Sequence, residues 1–161
     1  MTVSRVLQVL LAVVFISCTK EESPSEPETK QPPQSIVVID SVRHSVELSQ
    51  PEYTVNDSIS VKYIITGIAS TPRQFTFTQA EHIQFHIFRE DDGVATFFYP
   101  KSFTDSTTQY SLATNETRSY TVRVSLKSGS NTPLRSGAHR IRVWLGNSGT
   151  TYYHILPFTI R

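Results

Sequence analysis

The chain has 161 residues, with 15 Lys+Arg against 14 Asp+Glu and a net charge of +1. Three of the basic and four of the acidic residues precede residue 35, leaving 12 and 10 in the remainder, a balance that argues against a nucleic-acid partner, which needs a basic face or stripe. The length suits one ordinary domain whose core is large enough to fold without disulfides. The single cysteine excludes an internal disulfide framework and a thiolate metal cluster.

The N-terminus reads as an export signal. Arg5 precedes the apolar run Val6 to Ile16, and Ser17 and Cys18 follow it. A basic start, a short apolar stretch and a small residue before the cut form a secretory signal. The run is too short to span a bilayer as a helix, which takes about 20 apolar residues. The lone Cys18 directly after the small residue resembles the bacterial lipobox, with Phe15 where leucine is usual. The resemblance implies a signal peptide over 1–17, lipidation of Cys18 and attachment to the envelope membrane through that lipid.

Residues 18–34 are expected to form a tether. Beyond Cys18 their only apolar residues are Pro24, Pro27, Pro32 and Pro33, and Glu21, Glu22, Glu26 and Glu28 keep them in water. The segment would reach roughly 50 Å as polyproline II and roughly 20 Å as a flexible coil. Thr19 is not the aspartate that retains lipoproteins at the inner membrane, and Lys20-Glu21-Glu22 resembles a surface-export signal as well as a solvated charge cluster. An outer-membrane lipoprotein is therefore expected, facing either the periplasm or the cell surface.

From residue 35 to 161 the pattern has period two. Ile59, Val61, Tyr63 and Ile65 alternate with polar residues, as do Ile83, Phe85 and Ile87, then Tyr120, Val122 and Val124, then Ile141, Val143 and Leu145. Such alternation marks strands with one buried and one wet face. About nine strands are expected, near 35–41, 43–49, 58–66, 73–78, 82–89, 94–99, 117–126, 138–146 and 151–160. Asp91-Asp92-Gly93 joins two of them as a hairpin, and Asn56-Asp57 and Asn115-Glu116 open others. The fold class predicted is all-β, an immunoglobulin-like antiparallel sandwich. Pro100 to Thr114 is expected to be a long irregular loop anchored by Phe103 and Tyr110.

Several of these segments, taken together, resemble the BsuPI-like intracellular proteinase inhibitor family. They are Asn56 to Val61, Thr71-Pro72-Arg73-Gln74-Phe75-Thr76-Phe77, Ile83 to Phe88, Asp91-Asp92-Gly93, Phe97-Phe98-Tyr99, Phe103, Leu112 to Thr117, and Ser136-Gly137 before the strand Arg140 to Leu145. The likeness covers about residues 50–146 and departs from the family where Phe97-Phe98-Tyr99 stands in place of a tryptophan. It implies an immunoglobulin-like sandwich and places no inhibitory residues; proteinase inhibition outside the cytoplasm, with the Pro100–Thr114 loop offered to a protease, is the alternative expectation.

No catalytic constellation is visible, and no cofactor is implied. His82 and His86 share a strand face but lie about 13 Å apart at the strand rise, too far to grip one metal ion. His44, His139 and His154 are isolated in sequence, and the chain carries no nucleophile elbow or phosphate loop. Glu90-Asp91-Asp92 offers hard oxygens for calcium, but a hairpin turn uses the same residues. Asn56-Asp57-Ser58 and Asn115-Glu116-Thr117 match the N-glycosylation pattern and read as turns. The candidate binding face is Arg140, Arg142 and Trp144, alternating on one strand, with Arg123 expected on a neighbouring strand of that face. A tryptophan beside guanidinium groups can stack on a sugar or hold an acidic peptide, so a protein or glycan partner is expected. The alternative is that the N-terminal segment or a loop covers Trp144, with the arginine stems lying over it. A non-catalytic binding or assembly module follows as the first functional expectation.

Overall fold

The computed structural model describes residues 30–129, 134–146 and 152–161. Cys18, the apolar run before it and residues 19–29 lie outside the described residues, as does the start of the last expected strand. The elements are β1 (Gln34–Ile39), β2 (Val42–Leu48), β3 (Glu52–Tyr53), β4 (Ser58–Gly67), β5 (Arg73–Gln79), β6 (Ile83–Arg89), β7 (Ala95–Tyr99), β8 (Asp105–Leu112), β9 (Thr117–Ser125), the single turn α1 (Leu126–Gly129), β10 (Gly137–Leu145) and β11 (His154–Ile160).

The strands form a four-stranded sheet in the order β1-β2-β4-β9, a five-stranded sheet in the order β3-β11-β10-β6-β7, and a β5–β8 pair. All pairings are antiparallel except that of the short β3 with β11. The inward residues of both main sheets, among them Val61, Tyr63, Phe85, Ile87, Ile141 and Leu156, form one buried cluster. The protein is thus an all-β antiparallel sandwich, and in β2, β4, β6, β10 and β11 period-two alternation placed one face of the strand in that core.

Local chemistry explains the turns. Asp40 and Ser41 both take positive φ, at 47° and 61°, which lets two residues reverse the chain between β1 and β2 as a type I′ hairpin. Gly93 takes φ 67° between β6 and β7, while Asp92 Oδ1 accepts from the Val94 amide at 2.8 Å. Asn115, at φ 61°, turns the chain into β9, and its amide donates to the Gly67 carbonyl at 2.8 Å. Gly67 tolerates no side chain, because a Cβ there would lie 2.3 Å from the Ala113 carbonyl oxygen.

Two expectations are corrected. Pro100 to Thr114 is not an irregular loop: Asp105–Leu112 is β8, paired with β5 from Arg73↔Leu112 through Phe77↔Thr108. Its residues are exposed on both sides apart from Tyr110 and Leu112, so no alternation betrays it, and a stack of Phe75 on Tyr110 at 5.2 Å holds it instead. The stretch expected to be tether also ends earlier. Gln34 belongs to β1, the Leu48 amide donates to the Pro33 carbonyl at 3.0 Å, and Lys30 pairs with Glu52 at 2.6 Å.

The alternation makes a direct forecast. Phe85, fully buried, and Phe98, 42% exposed, sit on opposite faces of neighbouring strands. Phe85→Ala is expected to cost about 3–5 kcal/mol in chemical denaturation, and Phe98→Ala about 1 kcal/mol or less. Equal losses would mean that the faces are misassigned.

Candidate binding face of the five-stranded sheet

On β10, His139, Ile141, Val143 and Leu145 point into the core, so Arg140, Arg142 and Trp144 project from the outer face. The neighbours of β10 are β6 and β11, and their register decides what meets these three residues. Arg142 is opposite His86 on one side and Ile155 on the other, and His86 is opposite Phe98 of β7. One row therefore runs Ile155–Arg142–His86–Phe98 across four strands. Flanking rows set Trp144 opposite Gln84, and Arg140 opposite Phe88 and Pro157.

The contacts on this face are specific. Trp144 Nε1 donates to Gln84 Oε1 at 2.9 Å, and Gln84 Nε2 donates to Gln79 Oε1 at 2.9 Å. The His86 ring meets Trp144 edge-on at 4.8 Å and Phe98 at 4.5 Å. The Arg142 guanidinium lies 4.9 Å from the centre of the Phe88 ring and 4.5 Å from that of Tyr153, in cation–π geometry. Its Nε is buried and has no hydrogen-bond partner. Arg140 is ion-paired with Glu90. Burial, and next the Arg142 charge, lower the His86 pKa, so its imidazole is neutral near pH 7. Tyr153, Ile155 and Val94 remain 44%, 48% and 54% exposed. A depression of about 260 Å³ opens among Phe88, Glu90, Gly93, Arg140, Arg142 and Ile155.

Arg123 does not join this face. It lies on β9, opposite Ser60 in the four-stranded sheet, and lines a separate depression with Ser49, Gln50 and Asp57. The outer faces of two stacked sheets look in opposite directions, so no partner can touch Arg123 and Trp144 through one flat contact. His82 is also displaced. It precedes β6 and packs on Phe77 at 4.2 Å and Tyr120 at 5.1 Å, apart from His86. The acids of the β6–β7 hairpin are occupied as well: Arg89 pairs with Asp91 and Asp92. Among the described residues no group of three or more His, Cys, Asp or Glu is placed to hold a metal ion.

Two further arrangements lie away from this face, and the first of them was not legible in sequence. His44 and His154 converge on Tyr63, where His44 Nδ1 hydrogen-bonds the Tyr63 hydroxyl at 3.0 Å and the His154 ring meets the tyrosine edge-on at 5.4 Å. His154 Nδ1 also hydrogen-bonds Ser35 Oγ at 2.9 Å. Burial lowers the pKa of both imidazoles, and burial with the nearby His44 takes His154 down to about 4. The other arrangement is the loop from Pro100 to Thr104, which presents Phe103 at 49% exposure. Glu81 clamps its base, accepting from the Thr104 amide and hydroxyl, both at 2.9 Å.

A domain of stacked antiparallel sheets, with an aromatic and arginine surface on one outer face, is the class of protein that these features define. The chain belongs to the BsuPI family, described as intracellular proteinase inhibitor, whose sequence profile matches residues 46–149. No curated protein matches the chain closely. Among solved structures it is similar to a β-glucosidase from Erythrobacter marinus, with 10% identity, a TM-score of 0.47, and coverage of 81% of this chain and 16% of that one. It is also similar to an alkylpurine DNA glycosylase from Pseudomonas fluorescens bound to DNA, with 11% identity, a TM-score of 0.46, and coverage of 71% and 28%. A Listeria innocua β-glucosidase bound to laminaribiose gives 13% identity, a TM-score of 0.44, and coverage of 74% and 16%. The chain thus spans 16% to 28% of the length of these enzymes, and at such scores they bear on neither activity nor substrate.

The histidine pair sets a pH dependence. A histidine whose pKa is lowered by folding stabilises the fold fully above its unfolded value of 6.5, and that stability is lost as pH falls toward the folded value, about 4 for His154. The melting temperature is expected to fall between about pH 7 and about pH 4.5, and His154→Phe to flatten that slope. An unchanged slope in the variant would place the acid sensitivity elsewhere.

Proposed function

We propose that this chain is a non-catalytic binding module, held at the outer membrane through a lipid on Cys18, which recognises a polypeptide through the outer face of its five-stranded sheet. The observation that carries the reading is the row Ile155–Arg142–His86–Phe98 beside Trp144. Aromatic, aliphatic and guanidinium groups left together on the wet side of a sheet are the composition of interface anchors. A neutral His86 and a ring-flanked Arg142 make that surface hydrophobic with one fixed cation, suited to a partner that brings apolar side chains and a carboxylate. The export reading rests on Arg5, the apolar run and Cys18.

The test compares surfaces. The double variant Arg142→Ala/Trp144→Ala should lose proteins that the wild-type chain captures by cross-linking in envelope membranes. Arg123→Ala, on the opposite sheet, should retain them. Loss with Arg123→Ala and retention by the double variant would reverse the assignment. Intact mass checks the anchor: acylated mass beginning at Cys18 is expected, and an unprocessed chain with a free thiol would remove the membrane from the proposal.

A second reading, extracytoplasmic proteinase inhibition, is favoured by the family match and by the Phe103 loop. A loop with an exposed aromatic tip and a clamped base has little conformational freedom to lose on binding. Titration against subtilisin should then reach stoichiometric inhibition, weakened at least about ten-fold by Phe103→Ala, a loss of about 1.4 kcal/mol. Hydrolysis of the chain without inhibition would eliminate this reading and leave the first untouched.

A further inference from the structure

The four-stranded sheet ends on β9, whose far edge is open. The Gly67 amide donates to the Glu116 carbonyl at 3.0 Å and the Leu126 amide to the Asp57 carbonyl at 2.9 Å, and these two bonds bracket the β4–β9 ladder. Hydrogen-bonded pairs recur at every second residue of an antiparallel ladder. In the observed register Arg118, Tyr120, Val122 and Val124 are therefore the residues bonded to β4. The N–H and C=O groups of Ser119, Thr121 and Arg123 point the other way. These three residues are exposed, and no backbone group among the described residues meets their edge.

A cavity of about 250 Å³ lies against this edge, lined by Tyr120, Thr121 and Val122 of β9, by His82 and Ile83, and by Tyr99 of β7. Since β7 is the last strand of the other sheet, the cavity opens between the two sheet edges. Its walls are three rings and two aliphatic side chains. The polar groups there are already engaged: the Tyr120 hydroxyl donates to that of Tyr110 at 2.6 Å, and Glu81, which also lines the cavity, accepts from Thr104. Burial, opposed by the Glu81 charge, lowers the His82 pKa, so its ring is neutral near pH 7. On the outward side of the same edge, Lys62 is in register with Thr121, and Arg123 follows two residues on. Neither cation is ion-paired among the described residues.

Donors and acceptors repeating every second residue, about 7 Å apart, are met together by another extended backbone. A strand laid along β9 would turn the side chains opposite Tyr120 and Val122 inward, over the cavity, and those opposite Ser119, Thr121 and Arg123 outward, beside Lys62 and Arg123. We propose that β9 receives an extended segment of a partner polypeptide as an antiparallel fifth strand of its sheet, with an aromatic or large aliphatic side chain in the cavity and acidic side chains outward. In this mode the main chain supplies affinity and the pocket specificity. The edge is separate from the outer face of β10, so the proposal does not depend on that face.

The probe is a blocked peptide that alternates glutamate with apolar residues, a phenylalanine at its centre and a valine on either side. Amide hydrogen exchange of the full chain is read residue by residue. With saturating peptide, the amides of Ser119, Thr121 and Arg123 are expected to exchange at least about ten-fold more slowly. Alanine in place of the phenylalanine should weaken binding about ten-fold, and lysine in place of the glutamates about three-fold. Thr121→Pro removes an edge donor that the fold does not use, so it should abolish the protection at Ser119 and Arg123 while the melting temperature holds. Should the proline disturb the strand, a peptide N-methylated at its glutamates asks the same of the wild-type chain and should fail to bind. No slowing at about 1 mM peptide would overturn the proposal, as would slowing that survives Thr121→Pro or N-methylation. So would edge amides already protected without peptide: protection that fades on dilution would assign the edge to a second copy, and protection that persists, to the chain's own residues.

Discussion

The pleat of β10 is the constraint from which the rest follows. It is flanked on both sides by long antiparallel partners, β6 and β11, so its register is fixed from two directions. A slip of one residue would turn Ile141, Val143 and Leu145 into water and Arg142 into the core, an exchange no stable sandwich survives. The burial of three aliphatic side chains thereby dictates the outward orientation of Arg140, Arg142 and Trp144. The same register brings His86, and through it Phe98, into line with Arg142. The candidate site is consequently a by-product of core packing on rigid strands rather than a construction of loops, and its geometry is as firm as the hydrophobic cluster beneath it.

Alternation was legible wherever one face of a strand is wet and the other buried, as in β4, β6, β9 and β10. It failed for β8, whose run Asp105 to Gln109 is exposed on both sides and is held by pairing and by the Phe75–Tyr110 stack. It failed also for β3, whose two residues are too few to show a period. At the site, alternation correctly gave Arg140, Arg142 and Trp144 a common face. It could not give the partner strands, because period two says which side of its own strand a residue takes and nothing about which sheet that strand joins. Arg123 was misplaced for that reason. The pairing of Ser35 with His154, 119 residues apart, is a long-range consequence of β1 lying beside β11, and no local signal encodes it.

The two sheets carry different chemistry between them and outside them. In the interior, His44, Tyr63 and His154 form a polar island whose imidazoles are kept neutral by burial. Neutral histidines cost the core far less than charged ones, since transfer of an unpaired charge from water is the largest penalty available to a folding chain. On the outer face, His86 is also biased to its neutral form, but there it stands between the exposed ring of Phe98 and the half-buried ring of Trp144. The same residue type thus supplies internal hydrogen bonding in one place and an uncharged ring on the outer face in the other, and the difference comes from which side of its strand each histidine takes.

The two candidate contact surfaces are joined by a single strand. Phe98 belongs to the outer face of β7, and the chain continues through Tyr99 and Pro100 into the loop that presents Phe103. β7 is the last strand of its sheet, and Tyr99 stacks on the buried Phe85 at 5.1 Å, which holds the strand's end against the core. Beyond it, Glu81 fixes Thr104 from the segment that precedes β6. Strand and loop are therefore fastened at both ends to the same two-strand unit, β6 with β7. The loop and the outer face thus share the β6–β7 pairing, which also sets His86 opposite Phe98. For a family described by proteinase inhibition, such fastening supplies what a non-catalytic partner surface requires: apolar groups presented to the outside, with their conformational freedom already spent in folding.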